Sequence, residues 1–378
     1  MLLVTRTIRL IKNTGRFIKR QGLRIVLLCA LIACVVLAAA VGDAHRQLGV
    51  PISLAVLASA ASTAEAAPLL MPMPTRYQWP IEKGSSLSRV VLQLGDAGVI
   101  GSPLALKIYA KIVAKTTIQT GSYWLEPSDT ALTLLDKFNR GEVIVKRLTF
   151  PEGWSFLQWR QHLEGVPQFA DSRDLSDAQL LQTLELDISH PEGWFFPDTY
   201  SYTGGDSIAD LLLRAHRKML DTLDKAWSLK AKDLPYSSAY EALIMASIVE
   251  KETGLAAERA AIAGVFVRRL RLGMRLQTDP TVIYGLGNQF SGNLRRSHLK
   301  KKTIYNTYVI RGLPPTPIAM PSAAAIDAAL HPADGDSLYF VARGDGGHYF
   351  SSNLEQHKRA VRKYQIFRRA KNYTSTPQ

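Results

Sequence analysis

Cysteine is scarce: there are two in 378 residues, Cys29 and Cys34, and both sit inside one apolar run. That excludes a disulfide framework and a cysteine-based metal site. His298, His331, His348 and His357 are scattered without metal-ligand spacing. The chain has no Gly-rich phosphate loop and no G-x-S-x-G nucleophile elbow, so neither nucleotide cradling nor that kind of serine hydrolysis is indicated. Acidic residues are missing from residues 1–24, which instead carry Arg6, Arg9, Lys12, Arg16, Lys19, Arg20 and Arg24. Lys and Arg outnumber Asp and Glu by 46 to 32, a net charge of +14, and this cluster supplies half of it. The remainder is mildly basic, which suits an anionic polymer or surface without calling for nucleic acid. With 47% hydrophobic and 21% charged residues, wholesale disorder is excluded.

Long apolar runs are absent apart from residues 25–41 (IVLLCALIACVVLAAAV), which hold no charge. As a helix this run spans roughly 26 Å, near the ~30 Å of a bilayer's hydrocarbon. All the early basic residues precede it and Asp43 follows, so the positive-inside rule puts the N-terminus in the cytoplasm and the bulk of the chain outside. A cleaved signal peptide ending near Ala38-Ala39-Ala40 is the rival, but its apolar region is usually ~7–15 residues, and the longer run favours an anchor.

The expected organisation is a basic cytoplasmic tail (1–24), a transmembrane helix (25–45), an Ala/Pro-rich linker (46–75), a small α+β module (76–146), a larger α+β domain (147–366) and a flexible tail (367–378). In the small module Leu87, Val90, Val91 and Leu94 follow helical spacing behind Ser85 or Ser86 as cap. Ser102-Pro103 opens a second helix, residues 121–125 read as a strand, and residues 127–129 start a helix that Gly141 closes. Short strands framing short helices resemble a LysM-like glycan-binding module. The larger domain shows helical stretches near 207–228 and 238–272, two Pro-Glu-Gly-Trp turns (151–154 and 191–194), and two strands around a Gly-rich turn in 337–350. The basic C-terminal stretch, with Lys358, Arg359, Arg362 and Lys363, reads as a solvated helix face.

The densest cluster of chemically capable residues is 242–284. A helix of apolar residues ends at Glu250, Lys251 and Glu252. A carboxyl carried into low dielectric keeps its proton, and a protonated acid is what a glycosidic oxygen needs. Glu250 and Glu252 lie on different helix faces. Glu252 shares the more continuous apolar stripe, with Met245, Ile248 and Val249, and is preferred as the acid. Both could equally be solvated end residues paired with Lys251, Arg259 or Arg268. Gln277, Thr278 and Asp279 bring amide, hydroxyl and carboxylate groups into one turn, suited to sugar hydroxyls or to an Asx-turn. Tyr305 and Asn306 open a proline-rich segment that could wall a polysaccharide cleft or act as a strap.

Residues 245–253 (MASIVEKET), 271–284 (RLGMRLQTDPTVIY), 305–317 (YNTYVIRGLPPTP) and 338–350 (LYFVARGDGGHYF) closely resemble the MltG (YceG-like) endolytic murein transglycosylases, as do 191–200 (PEGWFFPDTY) and 353–361. The resemblance covers residues 76–366 and includes an N-in anchor and a LysM-like module. Met320 and Ser322 depart from the expected Asn and Gly around Pro321. It implies a lytic transglycosylase that cuts peptidoglycan strands between N-acetylmuramic acid and N-acetylglucosamine, leaving 1,6-anhydro ends, without metal or cofactor. It places the catalytic acid on Glu252 and lines the cleft with Gln277, Thr278, Asp279, Tyr305 and Asn306. It also implies the bacterial inner membrane as location, a periplasmic catalytic domain, and penicillin-binding synthases as partners. A muramidase-type hydrolase using Asp279 to steer water, and a non-catalytic glycan-binding scaffold, are the alternatives.

Overall fold

The computed structural model describes residues 45–54 and 76–367, with scattered positions between Leu28 and Asp43. The basic tail (1–24), most of the expected linker and residues 368–378 lie outside the described residues. Of the expected transmembrane run, Leu28, Leu31, Ile32, Val35, Val36 and Val41 are helical with their side chains exposed. Among the described residues no helix is long and apolar enough to cross a membrane.

The chain is mixed helix and sheet and divides into two compact units, residues 1–145 with 203–205, and residues 146–202 with 206–378. The first is built as β1 (Tyr77–Ile81), α1 (Leu87–Asp96), α2 (Pro103–Ile112), β2 (Gly121–Leu125) and α3 (Ala131–Arg140), with β1 and β2 paired antiparallel, Tyr77 opposite Leu125. α1 buries Leu87, Val90, Val91 and Leu94, and the Ser86 hydroxyl caps it by accepting from the Arg89 N–H. α3 is capped by Thr130 in a reciprocal pair with Thr133, one residue beyond the expected start, and ends at Gly141 in the left-handed region. The expected linker needs correction at its beginning. Leu48, Ile52 and Leu54 are buried in this unit's core, and the Ile52 N–H donates to the Asp129 carbonyl. Three apolar side chains add core area to a small unit, in which every buried side chain counts.

The second unit holds two cores. One gathers around β3 (Lys146–Thr149), α4 (Phe156–Glu164), α5 (Asp177–Thr183), β4 (Thr199–Tyr202) and the start of α6 (Ile208–Ser228), where Phe150 stacks on Trp159 at 3.8 Å. β3 and β4 pair antiparallel. The other surrounds α7 (Ala239–Glu252), flanked by α8 (Ala256–Arg271), α9 (Asp279–Leu286), against which the short α10 (Arg296–Lys300) packs, and α11 (Ala323–Leu330), and completed by the hairpin β5 (Tyr339–Ala342) and β6 (His348–Ser351) and by α12 (Leu354–Val361). The helical stretch 238–272 is two helices, parted at residues 253–255, where the sequence places a turn at Thr253-Gly254 and a second helix near 255–271. Every residue of α7 from Ala242 to Val249 is buried. A helix apolar on all sides is a core helix, so its polar C-terminal end is held at the edge of the core.

Candidate active site

α7 delivers Glu250, Lys251 and Glu252 to three different environments. The Oε2 atom of Glu250 accepts from the backbone N–H of Ser322 at 3.0 Å and from its hydroxyl, and Arg259 lies 3.9 Å from the other oxygen. Ser322, one of the departures from the family pattern, also caps α11 by accepting from the Ala325 N–H. The Lys251 ammonium donates to the Gly153 carbonyl. Glu252 is half-buried, and its Oε1 accepts from the Thr278 hydroxyl. Its Oε2 has no partner among the described residues and is not enclosed. Because α7 is buried all round, the apolar stripe does not separate the two glutamates. Their neighbours do: Glu250 is engaged on both oxygens, whereas Glu252 keeps one available.

Thr278 is fixed from below. Its N–H donates to the Thr307 hydroxyl at 3.0 Å, and its carbonyl accepts from Thr281 at 2.8 Å, all within a buried threonine cluster. The hydroxyl is thereby turned to Glu252. Gln277 before it is exposed and held at φ 53°, a region costly for a residue with a Cβ. Asp279, exposed at the first turn of α9, accepts from the Tyr308 hydroxyl at 2.6 Å. Burial pushes the Glu252 carboxyl from 4.5 up to about 7; Asp279 adds to the rise, while the Thr278 hydrogen bond and the Arg269 charge oppose it.

Two cavities open beside this carboxyl, and Glu252 and Asp279 line both. The larger, about 890 Å³, is walled by Glu192, Lys251, Tyr284 and Tyr305 among others. The smaller, about 460 Å³, is walled by Arg269, Gln277, Tyr308, Tyr339, Phe340 and His348 among others. Of the expected cleft residues, Gln277, Asp279 and Tyr305 face cavity space, and Thr278 touches the acid directly. Tyr305 meets Tyr284 edge-on at 4.9 Å and bonds the Thr316 hydroxyl through its own. Asn306 lines neither cavity. It is fully buried, its amide donates to the carbonyls of His298, Leu299 and Lys301 at the end of α10, and its oxygen accepts from the Tyr308 N–H. It shapes the turn that presents Tyr305 and Tyr308.

Glu192, in the second Pro-Glu-Gly-Trp turn, was not singled out by the sequence. It is 2% exposed and lines the larger cavity. Its oxygens accept from the Phe156 N–H and the Tyr284 hydroxyl, each at 3.0 Å, and burial pushes its carboxyl up to about 7. The repeated motif was the available signal, but both partners come from distant segments. Gly193 beside it has φ 84°, and a Cβ there would sit 2.4 Å from the Pro317 ring. Among the described residues no group of three or more His, Cys, Asp and Glu side chains is placed to hold a metal ion.

The YceG-like family model matches residues 80–363 of this chain. A Bacillus subtilis protein named endolytic murein transglycosylase is 30% identical over 302 residues, covering 75% of this chain and 83% of that one. A Streptococcus pneumoniae protein of the same name is 31% identical over 321 residues, covering 74% of this chain and 57% of its own length. A crystal structure of a yceG-like protein from Listeria monocytogenes is 30% identical, covers 75% of this chain and 98% of that one, and superposes with a TM-score of 0.46.

Proposed function

The chain belongs to the YceG-like family, and from that premise we propose that it is an endolytic lytic transglycosylase acting on the glycan strands of peptidoglycan. The observation that carries this reading is the placement of Glu252, which lines two cavities at once with one oxygen tied to Thr278 and the other available, where burial pushes its carboxyl up to about 7. A strand cut away from its ends needs room around the acid, and a carboxyl that lines two cavities is in keeping with that need.

In the proposed reaction the Glu252 O–H donates its proton to the glycosidic oxygen between N-acetylmuramic acid and N-acetylglucosamine. As that C–O bond breaks, positive charge develops at the muramoyl C1. The C6 hydroxyl of the same sugar attacks C1, and the ionised Glu252 removes its proton, closing a 1,6-anhydro ring and regenerating the acid. Intramolecular attack carries a high effective molarity and needs no second carboxylate to steer water. The Thr278 hydroxyl and Arg269 favour the ionised intermediate state, and Asp279 and burial favour the protonated one, so the carboxyl is poised to cycle between them. Glu192, with both oxygens engaged, acts as a wall residue holding Tyr284.

A muramidase-type hydrolysis is the second reading, and the placement of Asp279 beside Glu252 in both cavities is what favours it. The membrane anchor belongs to the proposal too. It is supported by the charge-free run 25–41 after seven basic residues and by the exposed apolar side chains of its described helical positions. So do the likening of the β-α-α-β-α first unit to a LysM module, the periplasmic placement and the synthase partners. The test is digestion of purified sacculi by the full chain. Glu252→Gln should abolish fragment release, and Glu250→Gln should retain it. An active Glu252→Gln with an inactive Glu250→Gln would refute the assignment.

A further inference from the structure

The first unit carries an apolar row that its own core does not use. α2 buries Leu106 and Ala110, while Leu104, Ile108 and Ile112 on its other side are 70%, 52% and 61% exposed. Their i, i+4, i+8 spacing lines them up along the helix. Single exposed apolar side chains are ordinary, but three aligned on one helix form a patch. Lys107 and Lys111 edge the row, and residues 97–125 hold no Asp or Glu. An apolar row bordered by cations is the pattern of a helix that lies in the surface of a bilayer.

The place of α2 in the unit says what covers it. Residues 41–43 and 45–48 are helical and lead from the charge-free run 25–41 into this unit, where Leu48 is buried. The Ser102 hydroxyl at the start of α2 donates to the Gln47 side chain at 3.2 Å, and the Tyr109 ring on α2 lies 5.9 Å from the His45 ring. His45 is four residues past Val41, a rise of roughly 6 Å along a helix. Headgroups add about 5–8 Å to each face of the hydrocarbon, so with the run in the bilayer α2 is tied beside the headgroup layer. We infer that α2 docks on the lipid surface where the run emerges, with Leu104, Ile108 and Ile112 among the upper acyl chains and Lys107 and Lys111 on anionic headgroups. The docking holds the first unit against the bilayer instead of letting it swing on the chain. It goes beyond the cleavage reaction and rests on the anchor reading of residues 25–41.

The experiment places the full chain in nanodiscs of phosphatidylcholine and anionic phosphatidylglycerol and reads depth by bimane fluorescence. Ile108→Cys, combined with Cys29→Ser and Cys34→Ser, puts a single label on an exposed position and leaves the buried face of α2 intact. A doxyl group high on the acyl chain should quench that label roughly twofold, as suits the ~5–10 Å depth of an interfacial helix. Adding Lys107→Glu and Lys111→Glu should remove most of the quenching, because each lysine near an anionic surface is worth about fivefold in binding. An unquenched label overturns the inference. So does emission that shifts to the blue without quenching, which would mean that a second copy or another protein covers the row, and so does quenching that the lysine changes leave intact. A label on Cys34 alone, in Cys29→Ser, tests the anchor separately. Quenching there by a doxyl group deep in the bilayer with none at residue 108 refutes only the docking, whereas quenching at residue 108 with none at Cys34 refutes only the anchor.

Discussion

Replacing the proposed catalytic acid should stabilise the protein, and the size of that effect follows from its surroundings. In the fold the Glu252 carboxyl is pushed from 4.5 up to about 7, so the folded chain binds this proton more tightly than the unfolded chain does. For a group raised in this way the stabilising contribution is present below the unfolded value and is lost as pH rises through the folded one. At 1.36 kcal/mol for each pH unit, the interval corresponds to roughly 3 kcal/mol at pH 8, where the fold must hold a desolvated carboxylate. Glu252→Gln removes that ionisation and keeps an acceptor for the Thr278 hydroxyl. Urea unfolding followed by tryptophan fluorescence should therefore find the variant close to wild type at pH 4.5 and more stable by about 2–3 kcal/mol at pH 8. Glu192 shifts in the same sense, but it is present in both chains and cancels. A stability difference that is the same at both pH values, or a wild type that gains on the variant as pH rises, would refute the reasoning.

Two further outcomes are expected. Asp279→Asn keeps an acceptor for the Tyr308 hydroxyl but removes a negative neighbour of Glu252, so the acid ionises at lower pH; the ratio of cleavage at pH 8 to cleavage at pH 6 should fall roughly two- to fivefold below the wild-type ratio, read from pH–rate profiles, and an unshifted upper limb would contradict the electrostatic role. Gly193→Ala sets a Cβ 2.4 Å from the Pro317 ring at φ 84° and should cost about 2 kcal/mol or more in a urea melt, whereas a neutral change would show that the turn yields.

Legibility in the sequence followed the range of the interactions. The buried face of α1, the αL stop at Gly141 and the β5–β6 hairpin rest on neighbours a few residues apart, and spacing exposes them. The break between α7 and α8 carries no proline, and its signal was limited to Thr253-Gly254. Residues 48–54 look like linker because their partners, Val99 and Asp129, are far along the chain. The site divides in the same way. The chemistry of Glu252 and Asp279 is visible in a run of apolar and acidic residues, but what distinguishes Glu252 from Glu250 is supplied by Thr278 on one side and Ser322 with Arg259 on the other. Asn306 has the composition of a sugar ligand and the contacts of a helix cap. Glu192 is placed by Phe156 and Tyr284, which are 36 and 92 residues away. No local pattern encodes such contacts.

The central claim is that one carboxyl and the sugar's own hydroxyl suffice. The most direct measurement is mass spectrometry of sacculi digested by the full chain in ¹⁸O-labelled water. The account expects fragments ending in 1,6-anhydro sugars, lighter than hydrolysis products by one water and free of label. Reducing ends carrying ¹⁸O would show that water attacks C1, and would transfer the chemistry to a hydrolase in which Asp279 serves as the second carboxylate.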